Sequence, residues 1–303
     1  GTTCGDGSPA GVGVNLATAS PDLLVYMEGG GACWDGQTCF VLNAAIQIAA
    51  PYTETLFQKD LTTLDASGLF SRTDAASPFA AASFAYVPYC TGDVHAGTTV
   101  QTYVVNGKSR TVHHTGGLNA QVIVDTLHAT LPNVTRIWLT GSSAGGYGAT
   151  LNAHRYADAW PAAALEILQD SAPFVNVAAD RYAQWLQDWG IAFPATCAAC
   201  STGFPAVIDA ITAAYPSTRI GLLTYDDDAI VKAFFAYPGS LMPALDSLLA
   251  NQYAHPTTHA FVLAGASHTM LSNLQTLAAP DGTTLKSWVA QWATGDPAWT
   301  TVR

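Results

Sequence analysis

Six short apolar runs punctuate the chain, each closed by small or polar residues: DLLVYME (22–28), SFAYVPY (83–89), RIWLTG (136–141), LEILQD (165–170), RIGLLTY (219–225) and HAFVLAG (259–265). Runs this short and this apolar read as strands buried on both faces. Longer segments with helical spacing lie between and after them: GLNAQVIVDTLHATL (117–131), GYGATLNAHRYADAW (146–160), RYAQWLQDWG (181–190), DAIVKAFFAY (228–237) and LKSWVAQWATG (285–295). Strands alternating with helices predict an α/β fold, with a mostly parallel central sheet covered by helices on both faces. No repeat, charged tract or Pro/Ser-rich linker interrupts the pattern, so a single domain over residues 1–303 is expected. Sheets of this kind bind ligands beyond the carboxyl ends of their strands. The residues just after each run are therefore the ones to inspect.

After RIWLT comes Gly141-Ser142-Ser143-Ala144-Gly145, a G-x-S-x-G pattern that leads into a helical segment. Glycines on either side let the backbone turn sharply and keep side chains off the central Ser143, whose hydroxyl is lifted out at the sheet's edge. The helix that follows points its positive end at charge forming there. Ser142, the x residue, is expected to point elsewhere. After LLVYM come Glu28 and three glycines, Gly29 to Gly31. Backbone amides in such a loop suit an oxyanion, with a second donor from the residue after the nucleophile, Ala144. An ordinary glycine-rich turn is the plainer alternative. A phosphate loop would need a following G-K-[ST].

After RIGLLTY stand Asp226, Asp227 and Asp228, and His268 follows the last run. Serine, acid, histidine is the chain order of an α/β-hydrolase triad, in which the histidine takes the serine proton and the acid fixes its tautomer. Asp228 is favoured as the acid because it directly precedes the apolar helix AIVKAFF. Asp226, next to the strand, is the alternative. Asp170 ends a strand too, but one strand too early. Helix N-capping is the structural alternative for the run, and one of the three is expected to do only that. His259 is the fallback base. His113 and His114, just ahead of a helix, either line a cleft or sit on the surface.

Composition narrows the function. Hydrophobic residues make up 49% and charged residues 11%, so a large core is available and disorder is excluded. The net charge of −11, with no basic cluster, argues against nucleic acid and against an anionic membrane surface. No run approaches the ~20 apolar residues of a membrane span; VLNAAIQIAA (41–50) is broken by Asn43 and Gln47. No histidine and carboxylate spacing resembles H-E-x-x-H, so neither metal nor cofactor is expected. Six cysteines include two close pairs, Cys33 with Cys39 and Cys197 with Cys200, which leaves Cys4 for Cys90. Three disulfides suit an oxidising compartment. A redox or zinc reading of CAAC lacks a second CxxC and a basic neighbour. The chain opens on Gly1 rather than Met, which reads as a mature, secreted product. A monomer is expected.

Four motifs carry a family resemblance: CGDGSPAG (4–11), YMEGGGACWDGQTC (26–39), VPYCTGD (87–93) and GSSAGG (141–146). In order and spread they resemble the pectinacetylesterase/Notum carboxylesterase family. The second half is thinner, with QDSAPF (169–174), TYDDD and SHTM (267–270). The resemblance implies an α/β-hydrolase fold, Ser143 as nucleophile, His268 as base, and amides of Gly30, Gly31 and Ala144 around the oxyanion. The 33/39 cysteine spacing is also that of the family. It implies a serine carboxylesterase acting on O-acetyl esters of polysaccharide. Family members often carry a tryptophan where Gly31 or Ala32 stands here. The eight tryptophans and low charge also suit a hydrophobic polyester or short acylglycerols. The reading from outside enzymology is an inactive binding protein of the same fold.

Overall fold

All six apolar runs become strands of one central sheet in the computed structural model, which describes residues 1–303. The strands are β1 (Gly13–Asn15), β2 (Leu23–Met27), β3 (Ser83–Val87), β4 (Thr99–Val105), β5 (Lys108–His114), β6 (Arg136–Ser142), β7 (Ala164–Asp170), β8 (Arg219–Tyr225) and β9 (Thr258–Leu263). The helices are α1 (Gly36–Phe40), α2 (Glu54–Ser67), α3 (Gly116–Thr130), α4 (Ala144–Leu151), α5 (Ala153–Ala159), α6 (Ala179–Trp189), α7 (Pro205–Ala214), α8 (Ala229–Phe235), α9 (Met242–Asn251) and α10 (Leu285–Thr294). In space the sheet runs β1-β3-β2-β6-β7-β8-β9, parallel throughout except that β1 lies antiparallel to β3. From β2 the chain winds one way to β3, and from β6 the other way to β9. The topological switch, where ligands bind in such sheets, thus falls between β2 and β6.

Successive strand residues face opposite ways, and the core divides accordingly. Val25, Leu139, Ile167 and Leu222 face one core, built with α3 to α9. Their neighbours Leu24, Trp138, Leu168 and Leu223 face a second core against α2 and α10. In α10 the buried residues Leu285, Trp288, Val289 and Trp292 fall at i, i+3, i+4 and i+7, one helix face. Thr284 caps its start by accepting from Ser287 N, and Gly295, at φ 71°, ends it.

Several elements differ from the sequence reading: β1, α1, α2, α7 and α9 fall outside the expected strands and helices. The helix expected over 146–160 is two helices, α4 and α5, broken at Asn152. There the side-chain amide donates to Gly148 O and His95 O, drawing the turn toward a neighbouring loop. The hairpin of β4 and β5 stands outside the sheet, and its register places Val105 opposite Lys108 across Asn106 and Gly107, both at positive φ. Disulfides join Cys4 to Cys90, Cys33 to Cys39 and Cys197 to Cys200. No helix is long and apolar enough to cross a membrane.

Candidate active site

Strand β6 ends at Ser142 and helix α4 begins at Ala144, so a single residue, Ser143, makes the whole strand-to-helix turn. Its φ of 55° and ψ of −124° are strained for a side-chain-bearing residue. The turn closes because nothing occupies the space beside it. A Cβ on Gly145 would lie 1.9 Å from the carbonyl oxygen of Met27, and one on Gly141 would lie 2.4 Å from the Gly145 backbone. Because Met27 O belongs to strand β2, it cannot yield. Gly145→Ala is expected to cost about 3 kcal/mol or more, measured by chemical denaturation. Ser142 turns inward, where its hydroxyl accepts from Tyr26 OH at 3.0 Å and donates to Asp170 Oδ2 at 2.6 Å.

The three aspartates after β8 have separate partners. Asp226 accepts from Gly265 N at 2.9 Å. Asp227 pairs with Lys232 at 2.5 Å, and that contact, with Leu241 N and Ser240, holds its carboxyl down at about 2. Asp228 is fully buried, and its Oδ2 lies 2.8 Å from His268 Nδ1. Its Oδ1 accepts from Ile230 N and Val231 N, capping α8. Capping and holding the imidazole therefore fall to one residue, not to two. A carboxylate only accepts, so Nδ1 is the donor toward Asp228. His259 instead packs edge-on against Trp299 with ring centres 4.6 Å apart. His114 is buried, with Nδ1 on Thr91 O and Nε2 facing the Tyr103 hydroxyl, and His113 lies beside Gly7.

Ser143 and His268 line one cavity of about 40 Å³ together with Gly31, Ala32, Ala144 and an apolar wall. That wall includes Tyr147, Trp185, Trp189, Phe204, Phe234 and Phe235. Strands β2 and β6 are neighbours, with Met27 opposite Gly141, so the Gly-rich loop and the serine turn emerge side by side. The loop is pinned by Ala32 N on Ala44 O and Ile46 N on Gly30 O, and Gly31 takes a φ of 75°. The amides of Gly30, Gly31 and Ala144 donate to no acceptor in the protein. Trp189 Nε1 donates to Cys33 O at 2.7 Å, tying the end of α6 to the segment just past the glycines. Beneath the loop, burial pushes the Glu28 carboxyl up to about 8, while its Oε2 accepts from Tyr89 N. Cys33, Cys39 and His114 are close enough to share a metal ion, but the two sulfurs are joined in a disulfide.

A family model described as Pectinacetylesterase matches residues 1–191 of this chain. The chain belongs to the pectinacetylesterase family. The match takes in the family Gly-rich loop, Ser143 and Ala144, and ends before Asp228 and His268. Among relatives, palmitoleoyl-protein carboxylesterase notum1' of Xenopus laevis is 29% identical over 185 residues, 57% of this chain and 35% of that one. The palmitoleoyl-protein carboxylesterase NOTUM of Homo sapiens is 28% identical over 182 residues, 57% of this chain and 34% of that one. This pectinacetylesterase-family chain thus spans about a third of the length of the curated relatives it matches. The solved structure of the Wnt deacylase Notum from Drosophila superposes with a TM-score of 0.71 at 19% identity, covering 99% of this chain and 92% of that one. That likeness establishes the α/β-hydrolase fold.

Two groups around the site escaped the sequence reading. The aromatic wall comes from α6, the 204 region and α8, far apart in sequence, and its helical spacing reads equally as ordinary core. Asp170 was weighed only as a triad acid, yet it is fully buried and accepts from Met270 N at 2.7 Å and Leu271 N at 3.1 Å.

Proposed function

We propose that the chain is a secreted serine carboxylesterase that removes short acyl groups, O-acetyl esters of polysaccharide foremost. The observation that carries this reading is the His268–Asp228 pair opening on the same cavity as Ser143, beside amides that lack acceptors. Ser143 Oγ attacks the ester carbonyl and its proton passes to His268 Nε2. Asp228 holds the imidazole by Nδ1 and stabilises its charged form. The amides of Gly30, Gly31 and Ala144 hold the tetrahedral oxygen, each such donor contributing on the order of 10²–10³ in rate. His268 returns the proton to the departing alcohol, and a water activated by the same nitrogen then cleaves the acyl-enzyme. Three disulfides support a site of action outside the cytosol. The chain acts without cofactor, and as a monomer.

Cavity size favours short acyl groups. One water needs roughly 10–15 Å³ by the same measure, so the tight inner part of the cavity, about 40 Å³, suits an acetyl group better than a long chain. Turnover of p-nitrophenyl acetate is expected to exceed that of the octanoate by about 10²-fold or more in kcat/KM, because each misfitting methylene already weighs heavily in an apolar pocket. Acetylated pectin and acetyl-xylan in the same panel test the polysaccharide. A flat or rising profile from acetate to octanoate would sink this reading.

One observation favours a hydrophobic polymer or acylglycerol instead. Ile230 lines the cavity and Ile46 lies over Gly30, yet both are more than two-fifths exposed. Faster release of product from polyester film than from acetylated pectin would favour it. Failure of a fluorophosphonate to label Ser143 would leave only an inactive binding protein of this fold.

A further inference from the structure

The carboxylate of Asp170 lies outside the Ser143, His268 and Asp228 set, yet it touches both the serine's strand and the histidine's loop. Its position at the end of β7 puts it beside the last residue of β6, since Ser142 and Asp170 are register partners. Its backbone oxygen accepts from Ser143 N at 2.7 Å. Its Oδ2 accepts from the Ser142 hydroxyl, which in turn accepts from Tyr26 OH. On the other side, Oδ1 accepts from Met270 N and Oδ2 from Leu271 N, two and three residues beyond His268. Thr269 N donates to the hydroxyl of the adjacent Ser171 at 3.1 Å. Three residues here, Ser143, Ser171 and Thr269, hold positive φ angles, a strain that persists only where the surroundings fix it.

Every contact to the carboxylate comes from a donor, so its charged form is the one the site is built for. Burial raises its pKa above the ordinary carboxylate value, and the Ser142 hydroxyl, the two amides and nearby His268 offset that only in part. A buried charge without a cation partner is expensive, and it is tolerated where its hydrogen bonds are complete. Stability would be served as well by an apolar pair, whereas fixing two loops against each other needs directed bonds.

We propose that Asp170 is a positioning residue, one that locks the serine turn to the histidine loop and so sets the reach from Ser143 to His268. The proposal rests on the esterase reading above. Asn has the same size but replaces one acceptor with an amide donor, which must meet either a peptide N–H or the Ser142 hydroxyl. The loop carrying His268 then loses a tether while the cavity wall is untouched.

The test is steady-state hydrolysis of p-nitrophenyl acetate, with kcat expressed per serine titrated to completion by a fluorophosphonate. Asp170→Asn is expected to lower that kcat by about 10- to 100-fold, the effect of a misplacement of about an ångström, with KM moved by no more than about threefold. Ser142→Ala keeps the carboxylate and removes one tether, and should lower kcat about fivefold. The double variant should fall no further than Asp170→Asn alone, since both act through one carboxylate. A kcat per titrated serine within about twofold of the parent in both single variants would overturn the proposal, as would a loss confined to KM or to the number of titratable serines. If Asp170→Asn yields no soluble protein, Ser142→Ala decides by the same two criteria. Hydrolysis that survives Ser143→Ala would instead defeat the esterase reading itself.

Discussion

Ser143→Ala is expected to cut ester hydrolysis by on the order of 10⁴-fold or more while leaving the fold intact. The turn supplies both halves of that expectation. Ser143 Oγ takes part in none of the hydrogen bonds that hold the turn, which rest on Ser143 N, Ser142 and the glycines. Alanine meets the same backbone strain at φ 55° that serine already bears. The melting temperature should therefore stay near that of the parent, and p-nitrophenyl acetate turnover should fall to the level that backbone donors alone provide. Comparable turnover in Ser143→Ala and parent would remove serine chemistry from the account. Serine and histidine need no direct bond before substrate arrives, because such contacts tighten in the substrate complex.

The second large effect separates the two candidate acids. Asp228→Asn is expected to lower kcat by on the order of 10⁴-fold, because the amide no longer fixes the tautomer that leaves Nε2 free. Asparagine caps a helix about as well as aspartate, so α8 and the cavity wall it carries should survive the change. Asp226→Asn is expected to keep kcat within about twofold, since that side chain only accepts from Gly265 N at the edge of the β8–β9 loops. Equal losses in the two variants, or a larger loss at Asp226, would reassign the acid. Circular dichroism on both proteins separates a catalytic from a folding defect.

The sequence was most legible where burial is strongest. Runs such as RIGLLTY are apolar because both faces of β8 are covered, and the run and the strand share the same bounds, Arg219–Tyr225. The β4–β5 hairpin was passed over although Asn-Gly lies at its turn, because β4 alternates half-buried with exposed residues and lacks a continuous apolar run. The serine turn could be read because glycine reports close backbone approach directly. The acid could not be fixed from sequence, since three adjacent aspartates differ only in where the loop aims them. The role of Asp170 was hidden for a similar reason: its partners are main-chain amides 100 residues away, which no side-chain pattern records.

The tie from Trp189 to Cys33 has a consequence for anyone reshaping this pocket. One indole serves as a wall of the cavity beside Ser143 and as an anchor for the stretch that follows Gly31. Trimming it to admit longer chains would also slacken the bend that presents the amide donors, so breadth and speed are coupled at that position. Phe204 borders the same space without any polar tether, so trimming it would enlarge that space and leave the glycine bend in place, at the cost of its packing against Tyr147, Phe174, Tyr182, Trp185 and Phe235.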